Sequence, residues 1–257
     1  MSKDIDSDDE LLSKEDTVDA QDELQSTDDN AVSSEEFEHE GDSQDAIGGE
    51  DVDAMTDGDN LEKMILSTGI RVGTPVKTKF MVPFIVKANP EGLYILDISK
   101  TLFRIDVAAK FIGRTDISKV AVTSAREYGK TPVEKFCEIT GATPILGRFM
   151  PGTFTNPSLP AYMEPQIVVV TDPQADQQAV LEATRAGVPV IAIANSDNVT
   201  SKVDLVIPAN NRGRKALATV YWLLAREVLK KQGRIKSDKE MQMSIDDFET
   251  KLVEEIS

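Results

Sequence analysis

Apolar positions along this chain fall into two patterns, short unbroken runs and longer stripes, and the two alternate between residues 93 and 231. The clearest pair begins at residue 166. Residues 166–171 form an apolar run of strand length that stops at Asp172-Pro173, and the spacing beyond predicts a helix over 173–186. Asp172 is placed to cap it, Pro173 suits the first helical position, and Ala175, Ala179 and Ala183 make a small-residue stripe. Gly187 supplies a left-handed stop, and residues 188–193 begin the next strand. A strand, crossover helix, strand unit of this kind requires parallel pairing.

The same reading extends in both directions. Residues 93–98 read as the first core strand, after a turn at Pro90-Glu91-Gly92, and 101–112 as a helix with Leu102, Ile105, Ala109 and Ile112 inward. Strands follow at 119–124 and 143–146, separated by a helix that Pro132 opens and Gly141 ends. A strand at 203–207 precedes the longest helix, 216–231, whose apolar face is Ala218, Tyr221, Trp222, Ala225 and Val228. Residues 61–66 predict a short docking helix, and Lys77, Lys79 and Lys87 alternate with apolar residues in an extended, exposed stretch. Near the end, Ile245, Phe248, Leu252 and Val253 are spaced for a marginal amphipathic helix, either partner-binding or solvated. Elements alternating in this order predict an α/β fold with an open, doubly wound parallel sheet.

Charge divides the chain into three parts. Residues 1–60 carry 23 Asp and Glu against two Lys, a net of −21. Residues 61–235 carry 23 basic and 15 acidic side chains, net +8, and 236–257 carry three and seven, net −4. The first part has one aromatic residue, Phe37, and cannot bury enough apolar surface to offset about 1–2 kcal/mol per residue of ordering entropy. The expected organisation is therefore a disordered acidic extension over 1–60, a folded body over 61–235 and an acidic tail over 236–257. No secretory or mitochondrial pattern opens the chain and no run of about 18 apolar residues occurs, so a cytoplasmic protein without a membrane span is the simplest account.

The residue inventory excludes more chemistry than it offers. The single histidine, His39, lies in the acidic extension, so the body can assemble neither a Ser-His-Asp set nor a His/Cys zinc cluster. The lone Cys137 sits in an apolar helical run and reads as a small core residue. Neither a phosphate-cradling Gly-x-x-x-x-Gly-Lys loop nor a dinucleotide fingerprint is present, and no cofactor is implied. Asp97, Asp172 and Asp197 each follow an apolar run. They could converge on a magnesium ion for phosphoryl chemistry, or each could cap the turn that follows it.

Anion binding has better support. Arg212, Arg214 and Lys215 fall at a helix start, where backbone N–H groups and the positive end of the dipole already favour phosphate. The loop over 147–165, broken by Pro151, Gly152, Asn156, Pro157 and Pro160, carries Arg148 and little that a core would use. With Arg71, Lys77, Lys79, Lys87, Arg126 and Lys130 in other loops or loop edges, the excess of positive charge fits a broad surface that reads an RNA backbone better than it fits one catalytic pocket.

Several strings together resemble a known family. GRFMPGTFTNPSLPAYMEPQIVVVTDPQADQQAVLEATRAGVPVIAIANSDN, over 147–198, is similar to the archaeal and eukaryotic branch of the small-subunit ribosomal protein S2 family, which includes laminin-receptor-type proteins. Collinear support comes from GIRVGTPVKTKFMVPFI at 69–85, GLYILDISKT at 92–101, SAREYGKTPVEKF at 124–136 and VDLVIPANNRGRKALATVYWLLAREVL at 203–229. The bacterial branch inserts a helical hairpin after the Thr-Asn of the central loop; only nine residues lie between Asn156 and Gln166 here, as in the archaeal form. The resemblance implies a flavodoxin-like sheet with helices on both faces and no catalysis. It also implies docking on small-subunit rRNA beside neighbouring ribosomal proteins, with roles in subunit assembly and translation. Carried over by position, it assigns RNA contact to Arg148, Thr153 and Asn156 in the central loop and to Arg212, Arg214 and Lys215 at the helix start. Arg71 stands where family members commonly have histidine, which exchanges a stacking group for a charge. The acidic extension lies outside the family pattern; its charge would repel phosphates, keeping a basic body soluble or screening it from other RNA.

Overall fold

A computed structural model describes residues 63–235, 241 and 243–251. The expectations for residues 1–60, for the first part of the 61–66 helix and for Leu252 and Val253 lie outside them. The described elements are β1 (Ile85–Ala88), β2 (Tyr94–Leu96), α1 (Ile98–Gly113), β3 (Val120–Ser124), α2 (Glu127–Thr140), β4 (Thr143–Leu146), β5 (Ile167–Val170), α3 (Gln177–Ala186), β6 (Val190–Ala194), β7 (Leu205–Pro208), α4 (Arg214–Lys231) and a single turn, α5 (Ile245–Phe248). Five strands form one sheet in the order β4-β3-β5-β6-β7, all parallel.

Side-chain alternation decides what each face of the sheet carries. Val120, Val122, Ile167, Val169, Ile191, Ile193 and Ile207 point into a core shared with α1, α2 and α4, where Phe136 and Tyr221 meet edge to face. The intervening Ala121, Val168, Val170, Val190 and Ala192 face the other way, onto α3 and the central loop, through Ala179, Ala183, Phe149 and Phe154. Continuous apolar strands covered on both faces are what a parallel sheet demands. No helix among the described residues is long and apolar enough to cross a membrane.

Four boundaries differ from the sequence expectations, each for a local reason. β2 is not in the main sheet: it pairs antiparallel with β1 across the 90–92 turn and is bridged by Val72 on its other side. Asp97 follows at once and accepts from the Ser99 and Lys100 N–H groups, so the chain enters α1 without crossing to the sheet. The helix expected at Pro173 begins at Gln177, because Asp172 accepts from Gln174 N–H in a tight turn and leaves the cap position to Asp176. Ala175 is consequently exposed, and the small-residue stripe reduces to Ala179 and Ala183. α2 starts five residues ahead of Pro132, which lies inside it. The segment over 243–250, expected as a tail apart from the body, packs on α4 with Phe248 fully buried.

Candidate nucleic-acid interface

In a parallel sheet every strand ends at the same edge, so the residues that follow the strands are gathered there whatever their separation in sequence. After β3 come Ala125 and Arg126, after β4 Gly147 and Arg148, and after β5 Thr171 and Asp172; Asn195 to Asp197 follow β6, and Asn210 to Arg212 follow β7.

A chain of buried polar groups ties four of these loops together. The Arg126 guanidinium donates to Asp172, which is fully buried; Asp172 also accepts from Asn198 Nδ2 at 3.0 Å. Asn198 Oδ1 in turn accepts from Asn211 Nδ2 at 3.0 Å and from Asn195 N–H at 2.7 Å. The segment carrying Arg71, Lys77 and Lys79 is stapled across the same edge. Asn210 N–H donates to the Ile70 carbonyl at 2.8 Å, Thr74 N–H donates to Ser196 Oγ at 2.8 Å, and Thr78 Oγ1 donates to the Asn198 carbonyl at 2.8 Å. Gly73 is required in this staple: a Cβ there would sit 2.6 Å from the Tyr94 carbonyl and 3.0 Å from Ser196 Oγ. In sequence these asparagines and serines are indistinguishable from turn residues. Their only signal was an unusual density of short polar side chains after apolar strands.

Two acids, the α3 cap Asp176 and Glu182 within the helix, hold the loops on the β4 side. Asp176, 2% exposed, accepts from Ala125 N–H at 2.8 Å, and burial pushes its carboxyl up to about 7. Glu182, equally buried, accepts from Gly152 N–H at 2.7 Å, Phe154 N–H at 3.2 Å and Gln178 Nε2 at 2.8 Å. With Phe149 and Phe154 packed edge to face at 5.0 Å, this carboxylate fixes the central loop and presents Arg148 at its exposed start. Sequence reasoning missed Glu182, since an acid within a helix reads as solvated. Arg148 and Asp176 share an open cavity of about 410 Å³ with Ala125, Phe149, Pro151, Ala175 and Gln178.

The predicted contact residues separate into two groups. Arg126 is committed to Asp172, Lys130 pairs with Glu127 at 2.7 Å, and Lys77 lies over the Tyr94 ring at 5.0 Å. The cluster expected at the start of α4 does not converge: Arg212 pairs with Asp197, while Arg214 reaches Glu249 at 3.4 Å. Opposite charges on either side draw the two guanidinia apart. Thr153 is 4% exposed and its hydroxyl donates to the Met150 carbonyl, so the structure places it inside the loop rather than on its surface. Asn156 is exposed and its Oδ1 accepts from Ser158 N–H. Arg71, Lys79, Arg148 and Lys215 are exposed and have no ion-pair or hydrogen-bond partner for their charged groups among the described residues.

The three aspartates considered for magnesium are dispersed. Asp97 follows β2, outside the main sheet, and caps α1; Asp172 is held by Arg126, and Asp197 by Arg212. Among the described residues no three His, Cys, Asp or Glu side chains are grouped to hold a metal ion. Cys137 is buried and its thiol is pushed up to about 12, far from a reactive thiolate.

Comparison with known proteins adds an independent line. A family model described as Ribosomal protein S2 matches residues 160–231. The small ribosomal subunit protein uS2 of Nitrosopumilus maritimus is 62% identical over 196 residues, covering 76% of this chain and 95% of that protein. Its counterpart in Cenarchaeum symbiosum is 54% identical over 201 residues, covering 78% and 97%, and that of Thermoplasma acidophilum 48% over 191 residues, covering 74% and 96%.

Proposed function

The chain belongs to the small-subunit ribosomal protein uS2 family, and from that membership we propose that it docks on small-subunit rRNA through the carboxyl edge of its sheet. It is a structural, non-enzymatic ribosomal protein, and its partners are rRNA and neighbouring proteins of the small subunit. The observation that carries the RNA reading is the division of charge at that edge. Arg126, Lys130, Arg212 and Arg214 are neutralised within the chain, whereas Arg71, Lys79, Arg148 and Lys215 stand exposed with no acid against them among the described residues. Cations held out from a rigid framework suit phosphates whose spacing the fold matches, and each contact releases counterions.

The framework suits assembly better than turnover. The Arg126–Asp172–Asn198–Asn211 chain fixes the loops before RNA arrives, so little ordering entropy is lost on docking. Filter binding of the full chain to small-subunit rRNA across a salt series tests the reading. Removing Arg148 and Lys79 together should lower the slope of log K against log salt by roughly two. An unchanged slope and affinity would reject these side chains as contacts.

A further inference from the structure

The largest departure from an ordinary surface lies beside β1 and the first turns of α1. Phe103 on α1 is 65% exposed, Val86 on β1 63% and Val82 just before β1 49%. These side chains sit on elements clamped to each other: Lys100 Nζ donates to the Pro83 carbonyl at 2.6 Å, the Arg104 guanidinium lies over the Phe84 ring at 5.5 Å, and Asp97 N–H donates to the Phe84 carbonyl at 2.9 Å. The clamp holds apolar groups open to solvent at a cost that burial against a partner would remove.

We propose that this face seats a segment of a neighbouring small-subunit protein that carries apolar anchors flanked by Asp or Glu. Three observations fix the chemistry of the occupant. Lys87 and Arg104 adjoin the apolar groups in sequence, and Lys100 and Asp97 pair with each other at 3.6 Å. Asp106, three residues from Phe103 on α1, is held by Lys110 and by Lys231 at 3.0 Å, so no acid is left to oppose Lys87 and Arg104 on these elements. β1 is also an edge: among the described residues it pairs with β2 alone, leaving main-chain donors and acceptors on its outer side for an added chain. Finally, Val82 and Val86 are aliphatic and cannot stack on bases, the Phe84 and Tyr94 rings are each covered by a cation of this chain, and of the three exposed apolar groups Phe103 alone offers a ring for stacking. An acidic peptide fits better than a nucleic-acid strand.

The position agrees with such a role. Thr101 Oγ1 donates to the Pro208 carbonyl at 2.6 Å, so α1 starts beside the end of β7, at the opposite edge of the sheet from β4 and Arg148. RNA held at Arg148 and protein at this face therefore do not compete. The inference rests on the ribosomal reading above and adds to it the face and the partner chemistry.

The test is photo-crosslinking in assembled particles. Full chain with Phe103→p-benzoylphenylalanine is produced in cells, and small subunits are isolated by sedimentation, irradiated and treated with nuclease. The expected result is a nuclease-resistant conjugate to one other small-subunit protein at a peptide rich in Asp or Glu. Phe103→Asp should then deplete that protein from the particles at least tenfold while changing rRNA affinity of the purified chain less than twofold. A conjugate destroyed by nuclease, one to a second copy or to residues 1–62 of the same chain, or none at all in particles that contain the chain, would overturn the proposal. A chain that never enters small subunits would instead overturn the ribosomal reading, and this inference with it.

Discussion

The Thr250 hydroxyl donates to the Tyr128 carbonyl at 3.2 Å, and that carbonyl is the one Pro132 leaves without a helical partner. Proline lacks the N–H that would bond four residues back, which usually ends a helix. Here a residue from the far end of the chain supplies the donor, so α2 runs through Pro132 and the 243–250 segment gains a fixed position. Glu249 adds its contact with Arg214, Ser244 and Asp247 form a capping box, and Trp222 Nε1 donates to the Met243 carbonyl at 2.8 Å.

The C-terminal segment is therefore part of the core, and Phe248→Ala should cost about 3–5 kcal/mol in chemical denaturation. The chain has one tryptophan, so its emission reports the same event. Loss of the segment exposes Trp222 and shifts its fluorescence to the red well below the main unfolding transition. Thr250→Val, which removes one partly solvated hydrogen bond, should cost under about 1 kcal/mol.

Arg126 and Arg148 follow adjacent strands yet should behave oppositely on removal. Arg126→Ala leaves Asp172, 0% exposed, without its cation; since the arginine is itself 31% exposed, the lower end of the range for a broken buried pair applies, about 3 kcal/mol. Arg148→Ala touches nothing in the fold and should change stability by less than about 0.5 kcal/mol while reducing the salt slope of rRNA binding by roughly one. Thermal melts and filter binding on the two variants separate the roles.

That contrast marks where the sequence was legible. The parallel sheet, its two covered faces and the gathering of loops at one edge follow from apolar runs alternating with helical stripes, and the collinear family strings agree. Which cations remain free was not legible, because Arg212 and Asp197 are 15 residues apart, Arg126 and Asp172 46, and only the topology brings them together. β2 was misassigned for the same reason: three apolar residues are as consistent with a hairpin as with a central strand, and pairing decides. Glu182 shows the limit most clearly, as a buried acid is recognisable only once the backbone donors around it are known.

Asp176 makes stability depend on pH. Its carboxyl, raised to about 7 chiefly by burial and further by the charge of Asp172, stays protonated in the folded chain at pH values where the unfolded chain, near 3.9, has released its proton. Below about pH 4 both states hold the proton and nothing is lost. As pH rises towards 7 the folded state is progressively disfavoured, and above it the loss is complete. Between pH 5 and pH 8 this group should lower stability by about 3 kcal/mol, taking roughly 1.4 kcal/mol per unit. Urea unfolding of the parent and Asp176→Asn at both values checks it: the parent should lose that much more than the variant, whose amide does not titrate.

Glu182 should matter to RNA without touching it. Its two oxygens accept from the N–H groups of Gly152 and Phe154, so Glu182→Ala strands both donors in a site closed by Phe149 and Phe154, at about 2–4 kcal/mol. Glu182→Gln keeps one accepting oxygen but turns an amide donor towards the other N–H, and should fall between the parent and alanine. In both variants hydrogen exchange at residues 152 and 154 should speed up. Arg148, four residues before Gly152, then loses its fixed direction, and rRNA affinity should drop towards that of Arg148→Ala although the arginine is intact. If exchange rises while affinity and salt slope hold, the placement of Arg148 by the central loop is not what binding requires, and the contact surface must be sought around Arg71, Lys79 and Lys215.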